Sequence, residues 1–114
     1  MKLDEAIRDL LDVSTDIVSV AVVDASGAVV AAGPAAAGER ASEALGLLWE
    51  AASRHAGDAG LEHVVVPLAD GVLAAVEAHG HRAVAVTGPR PAVALLLFDL
   101  RTCLSDAFGG EEAA

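Results

Sequence analysis

The chain has 114 residues, enough for one domain with a hydrophobic core of its own. Its 54% apolar content rests mainly on Ala and Val with only 3% aromatics, so the core must be assembled from small side chains on closely approaching backbones. Seventeen acidic residues against seven basic ones give a net charge of -10, which repels phosphate backbones and anionic membranes and argues against nucleic acid as a partner.

Residues 2 to 14 carry Leu3, Ala6, Ile7, Leu10 and Leu11 at helical spacing, with Asp4 and Glu5 in the first turn, where the helix dipole favours negative charge. The same stretch holds four acids and no apolar h-region, so it does not read as a signal peptide. A strand is expected from Ile17 to Val23, with Val18, Val20 and Val22 on one face and Ile17, Ala21 and Val23 on the other. Both faces are apolar, which places it centrally, covered from both sides. Asp24-Ala25-Ser26-Gly27 forms a tight turn and a second strand follows from Ala28 to Ala32. "GPAAAG" at 33 to 38 reads as a loop, and Ala41, Ala44, Leu45, Leu48 and Ala52 define one face of a helix from about Glu39 to Ala56, ended by Gly57 and Gly60.

Three further strands are expected in "LEHVVVPL", "VLAAVEA" and "RAVAVTG", separated by turns at Ala69-Asp70-Gly71 and His79-Gly80-His81. Pro89 and Pro91 suit the opening turn of a last helix that runs to about Phe108. The longest unbroken apolar stretch, "AVALLLF" at 92 to 98, is far short of the ~20 residues that span a bilayer. The order α-β-β-α-β-β-β-α fits an α+β domain over residues 1–108, a five-stranded antiparallel sheet with helices on both faces, followed by a flexible tail at 109–114. Cys103 is the single cysteine, so no intrachain disulfide forms and a cytoplasmic setting is expected.

This order, with "VSVAVVDASGAVVAAG" after a short amphipathic helix, an Ala-rich second helix and a final "LLLFDLRTCLSDAF", resembles the Roadblock / dynein light-chain family from about Leu3 to Phe108. The resemblance implies a homodimer in which third strands pair edge to edge and second helices lie side by side. Bacterial members of the family are similar to regulators of small Ras-like GTPases, and none carries a conventional active site. The residues support the dimer separately. Val64, Val65 and Val66 make an edge strand that is an aggregation hazard unless paired, with Pro67 limiting the pairing. Ser42, Gly46, Trp49 and Ser53 form a stripe beside the core face of the second helix. There Gly46 costs about 1 kcal/mol relative to Ala, a cost that either close helix approach or room for a loop of the same subunit explains, and Trp49 is either an interface anchor or a cap on the monomer core.

Signals for chemistry are sparse. His79-Gly-His81, with His55 and His63 as distant extras, falls short of a zinc ligand set, so neither metal nor other cofactor is expected. Cys103 shares a helical face with Leu96, Leu100 and Ala107 and reads as a buried small hydrophobe. There is no G-x-S-x-G elbow and no G-x-x-x-x-G-K-[ST] loop, so no catalytic constellation supports an enzyme. Arg40 and Arg54, beside Glu43, Leu47 and Glu50, form an outward surface on the second helix suited to a partner. Leu95 and Phe98 depart from the core stripe of the last helix. They are expected to pack on Leu3 and Ile7, with a partner site as the alternative. The reading is a non-enzymatic homodimeric regulator or scaffold for a Ras-like GTPase or related signalling protein; a small-molecule sensor with its ligand between sheet and helices is the alternative.

Overall fold

The computed structural model describes residues 1–33, 38–56 and 62–109, and within the second segment the side chains of residue 43 and residues 46–54. The elements run α1 (Leu3–Val13), β1 (Ile17–Val23), β2 (Val29–Gly33), α2 (Gly38–Ala56), β3 (His63–Leu68), β4 (Gly71–Ala78), β5 (His81–Thr87) and α3 (Val93–Leu104), closed by a π-helical turn at Ser105–Gly109. All four strand pairs are antiparallel and the sheet order is β2-β1-β5-β4-β3. This is the expected five-stranded sheet with helices on both faces.

Each face of the sheet has its own core. Alternate side chains of one strand point to opposite sides, so Val20 and Val22 of β1 join Val76, Ala83 and Ala85 under α1 and α3. Ala21 and Val23 join Leu73, Ala75 and Val84 on the side covered by α2. Leu10, Leu96, Leu100 and Leu104 fill the first layer, while Trp49 and Leu73 are the largest buried side chains of the second among the described residues. Fully burying a side chain of the Val or Leu class contributes about 1.5–3 kcal/mol. The alanines at 21, 74, 75, 83 and 85 are completely buried, and their small size is what lets helices lie close on both sides of the central strands.

The turn between β1 and β2 is organised by Asp24. Its Oδ1 accepts hydrogen bonds from the Ser26 hydroxyl at 2.6 Å and from the backbone N–H groups of Ser26 and Ala28 at 2.9 and 3.1 Å. The Ser26 hydroxyl foremost, with those amides, holds the Asp24 carboxyl below its ordinary pKa. Gly27 takes φ +89, as the turn requires. Between β4 and β5 a two-residue loop, His79 (φ +54) and Gly80 (φ +74), supplies the paired left-handed conformations that match strand twist.

Four expectations need correction. In β1 the pairing steps from Ile17↔Thr87 to Ser19↔Val86, so Val18 is an extra, exposed residue in a bulge. That residue returns Ile17 to the face of Val20 and Val22, and Ile17 packs under α1 and α3 instead of on the Ala21 side. Pro89 and Pro91 precede α3, whose first helical residue is Val93. A residue before proline is steered away from helical angles, so Arg90 cannot begin a helix. Leu95 and Phe98 do not pack on Leu3 and Ile7. They are 59% and 63% exposed, because α3 presents Leu96, Leu100, Cys103 and Leu104 to the core. The last correction concerns the tail. Gly109 belongs to the π-helical turn, and residues 110–114 lie outside the described set, as do the loop at 34–37 and the helix-ending Gly57 and Gly60.

Candidate functional site

The second helix carries the surface the sequence singled out. Glu43, Leu47, Glu50 and Arg54 are all exposed, and their spacing of four, seven and eleven residues puts them on one outward face, with the exposed Gly46 at its border. Leu47 is 73% exposed between the two glutamates. Among the described residues nothing lies within 4 Å of the position a Cβ would take on Gly46, so none of them requires a glycine there. Arg40 and Ser42 fall on side chains outside the described residues. Ser53 is half-buried at the border of the helix's inner face.

Trp49 points the other way and is only 4% exposed. Its indole fills the α2 layer over a floor of Ala21, Ala75 and Val84, and the Arg82 guanidinium carbon sits 4.5 Å from the ring centre. Arg82 is held there from its other side, where its Nε donates to Glu77 Oε2 at 2.7 Å. The residue expected as an interface anchor is therefore a core residue of its own chain, for the reason that only a large side chain fills the gap above so many alanines.

Strand β3 pairs with β4 along one side and forms an edge of the sheet. Val64 and Val66 lean toward the α2 layer, partly covered, while Val65 faces the α1/α3 side and is 37% exposed. Beyond the edge strand's end, Val18, Leu68 and Val86 line a depression of ≈ 390 Å³ that opens to solvent around Asp70 and Gly71. The helix α2 contacts β1 and β2 and reaches the edge strand β3.

The histidine pair has a packing role that the sequence reading did not include. The His81 ring stacks on Phe108 at 3.8 Å and 8°, its Nδ1 lies 2.9 Å from the His79 carbonyl oxygen, and His79 Nε2 lies 3.2 Å from Ser105 Oγ. The β4–β5 hairpin thereby docks the π-helical turn. Among the described residues no three His, Cys, Asp or Glu side chains are placed to share a metal ion. The Cys103 thiol is 2% exposed, and burial first, then the charges of Asp106 and Asp9, push its pKa up to about 11. It is a core side chain and not a nucleophile. The Glu77–Arg82 pair was within reach of the sequence, since a two-residue loop at 79–80 sets those residues opposite one another. Nothing in the sequence points from His81 to Phe108.

Among solved structures the chain resembles a Roadblock/LC7 domain from Streptomyces avermitilis with a TM-score of 0.75 and 23% identity, covering 93% of this chain and 94% of that one. The fold is that of a Roadblock/LC7 domain. MglB from Myxococcus xanthus shares the Roadblock/LC7 architecture with a TM-score of 0.73 and 14% identity, over 98% of this chain and 96% of that one. A structure of MglB with a tetrameric arrangement matches at 0.67 and 14%, covering 98% and 90%. No protein-family model and no curated protein sequence matches the chain. At these identities the likeness is one of Roadblock/LC7 fold, and the chemistry of this chain has to be argued from its own surfaces. No helix among its described residues is long and apolar enough to cross a membrane.

Proposed function

We propose that the chain is a non-enzymatic, homodimeric regulator that docks a small Ras-like GTPase, or a signalling protein of similar build, on the outer face of α2. The observation that carries this reading is the outward row Glu43, Leu47, Glu50 and Arg54. It offers one exposed apolar anchor framed by charges of both signs, on a helix whose opposite face is committed to the core. Interfaces concentrate their energy in such an anchor and draw specificity from the charged rim. The dimer rests on two features: the valine-rich edge of β3, and Gly46, for which the described residues of the chain offer no reason. Edge strands of this composition are a liability that pairing removes. The chain shares its fold with MglB, of which a tetrameric arrangement is known, and this supports self-assembly. Arg54 is exposed on a helix and framed by acids, so it contributes contact and charge. Any effect on GTP hydrolysis would come from ordering the GTPase's own residues.

Light scattering across protein concentrations tests the assembly: the mass should be twice the 11.4 kDa of one chain, and Val65→Lys should halve it. A single-chain mass throughout rejects the paired edge. Titration with Ras-like GTPases in GTP-bound and GDP-bound form tests the docking face. Binding to one of the two forms should fall about tenfold or more in Leu47→Ser, the loss of a central anchor. Binding that survives Leu47→Ser and Arg54→Ala together rejects this face.

A further inference from the structure

On the sheet face opposite α2, helices α1 and α3 lie side by side in opposite directions, and the seam between them is not closed. Val13 and Leu95 line one end of it, and Phe98 stands one turn from Leu95 on the outer face of α3, all three well exposed. Two hollows run along it. One of ≈ 80 Å³ lies between the segment Val13–Ile17 and the start of α3 at Pro91–Leu96. The other, of ≈ 60 Å³, lies between Ala6, Leu10 and Val13 on α1 and Thr102 and Cys103 on α3. Each is several-fold smaller than the roughly 300–1,000 Å³ of a small-molecule pocket. They are of the size that takes a side chain from a partner.

The charged residues lining the seam have one sign, while the exposed Arg8 on α1 and Arg90 ahead of α3 lie outside both linings. The hollows are lined by Asp16 in the first and by Asp9, Asp99 and Asp106 in the second, with no Lys, Arg or His in either lining. Asp12 adds an exposed carboxylate on α1, outside both linings. Asp99 accepts a hydrogen bond from the Ser14 hydroxyl at 2.7 Å. Arg101 is turned to the far side of α3, where it reaches His63 Nδ1 at 3.3 Å. The acidic field is felt inside the seam, since Asp106 and Asp9 both act on the Cys103 thiol.

We infer that the α1/α3 seam is a second docking surface, built for a basic amphipathic helix of a partner protein. Apolar side chains of that helix enter the hollows and cover Leu95 and Phe98, and its Lys and Arg side chains meet the carboxylates of Asp9, Asp12, Asp16 and Asp106. The length fits: α1 has eleven residues, about 16 Å at 1.5 Å per residue, so three turns of a partner helix span the seam. Charge selects this occupant over the alternatives. A second copy of the chain, at net -10, would set carboxylates against carboxylates, and an anionic membrane would be repelled in the same way.

The test uses a fluorescent, leucine–lysine amphipathic peptide of about fifteen residues, long enough for four helical turns. It is titrated into the isotope-labelled protein, following peptide anisotropy and backbone amide shifts. The largest shifts should fall within Leu3–Val13 and Val93–Leu104. Replacing Leu95 and Phe98 together by Ser should weaken binding about tenfold at fixed salt. Both residues are exposed, so the doubly substituted protein should melt like the wild type. Asp9→Asn with Asp106→Asn should flatten the salt dependence, and Leu47→Ser on α2 should leave the peptide's affinity as it is. Shifts centred on α2, undiminished binding after loss of Leu95 and Phe98, or equal binding of a leucine–glutamate peptide would each overturn the inference.

Discussion

Gly46→Ala separates what α2 does within one chain from what it does between chains. Glycine in a helix interior is about 0.8–1.0 kcal/mol less favourable than alanine. Space around Gly46 is open, with no atom of the described residues within 4 Å of the added methyl, so the substitution costs nothing in packing against them. At protein concentrations where the chain is a monomer, urea titration should show a gain of about 0.8 kcal/mol and thermal melting a rise of about 4 °C. In a dimer with paired α2 helices the same methyl sits where two backbones approach. Overpacking there costs about 1–3 kcal/mol, and the dimer dissociation constant, read by light scattering or sedimentation, should rise about tenfold or more. A variant that is more stable and dimerises as before would refute the role given to Gly46. A variant that is less stable even as a monomer would refute the open space around it.

Two other perturbations follow from single contacts. A methyl on Gly71 would overlap the carbonyl oxygen of Thr87 on the neighbouring strand, and backbone cannot yield as a side chain does; Gly71→Ala should therefore cost about 3 kcal/mol in urea unfolding, and a loss below about 1 kcal/mol, the level of ordinary surface changes, would show that β4 and β5 separate there easily. Cys103 governs the alkaline limb of stability. Its thiol stays protonated in the folded chain up to about 11 and loses its proton near 9 when unfolded. The stability linked to it is fully present below pH 9 and is lost as pH rises toward 11, by about 2 kcal/mol in all. Cys103→Ala should flatten that part of the pH profile, and an unchanged slope would assign the alkaline loss to other groups.

How much of this was legible depended on whether the signal was local. Asp24-Ala25-Ser26-Gly27 declared its turn because a carboxylate two residues ahead of a serine and three ahead of a glycine can organise the backbone unaided. The two-faced apolar pattern of β1 declared a central strand, and the structure covers it from both sides. The bulge at Val18 left no mark, since valine suits either a regular or an irregular position, and one missed residue reversed the face of Ile17. The same limit applied to Trp49. Its neighbours at helical spacing suggested an interface, whereas the demand for volume came from alanines on β1 and β4 that are distant in sequence. Leu95 and Phe98 failed the opposite way, as apolar residues that the core had no room to take.

The place of β1 in the sheet also sets the order in which the protein can be made. The β1–β2 hairpin needs only a four-residue turn and can close early, yet its inner edge pairs with β5, more than fifty residues further on. The β3–β4–β5 meander is local by comparison, and contacts between distant parts of a chain form later because they require a longer loop to close. During synthesis, the hairpin therefore emerges with Val20 and Val22 bare on one side and Ala21 and Val23 bare on the other. Until His81–Thr87 has left the ribosome, the strand that pairs with its inner edge does not exist.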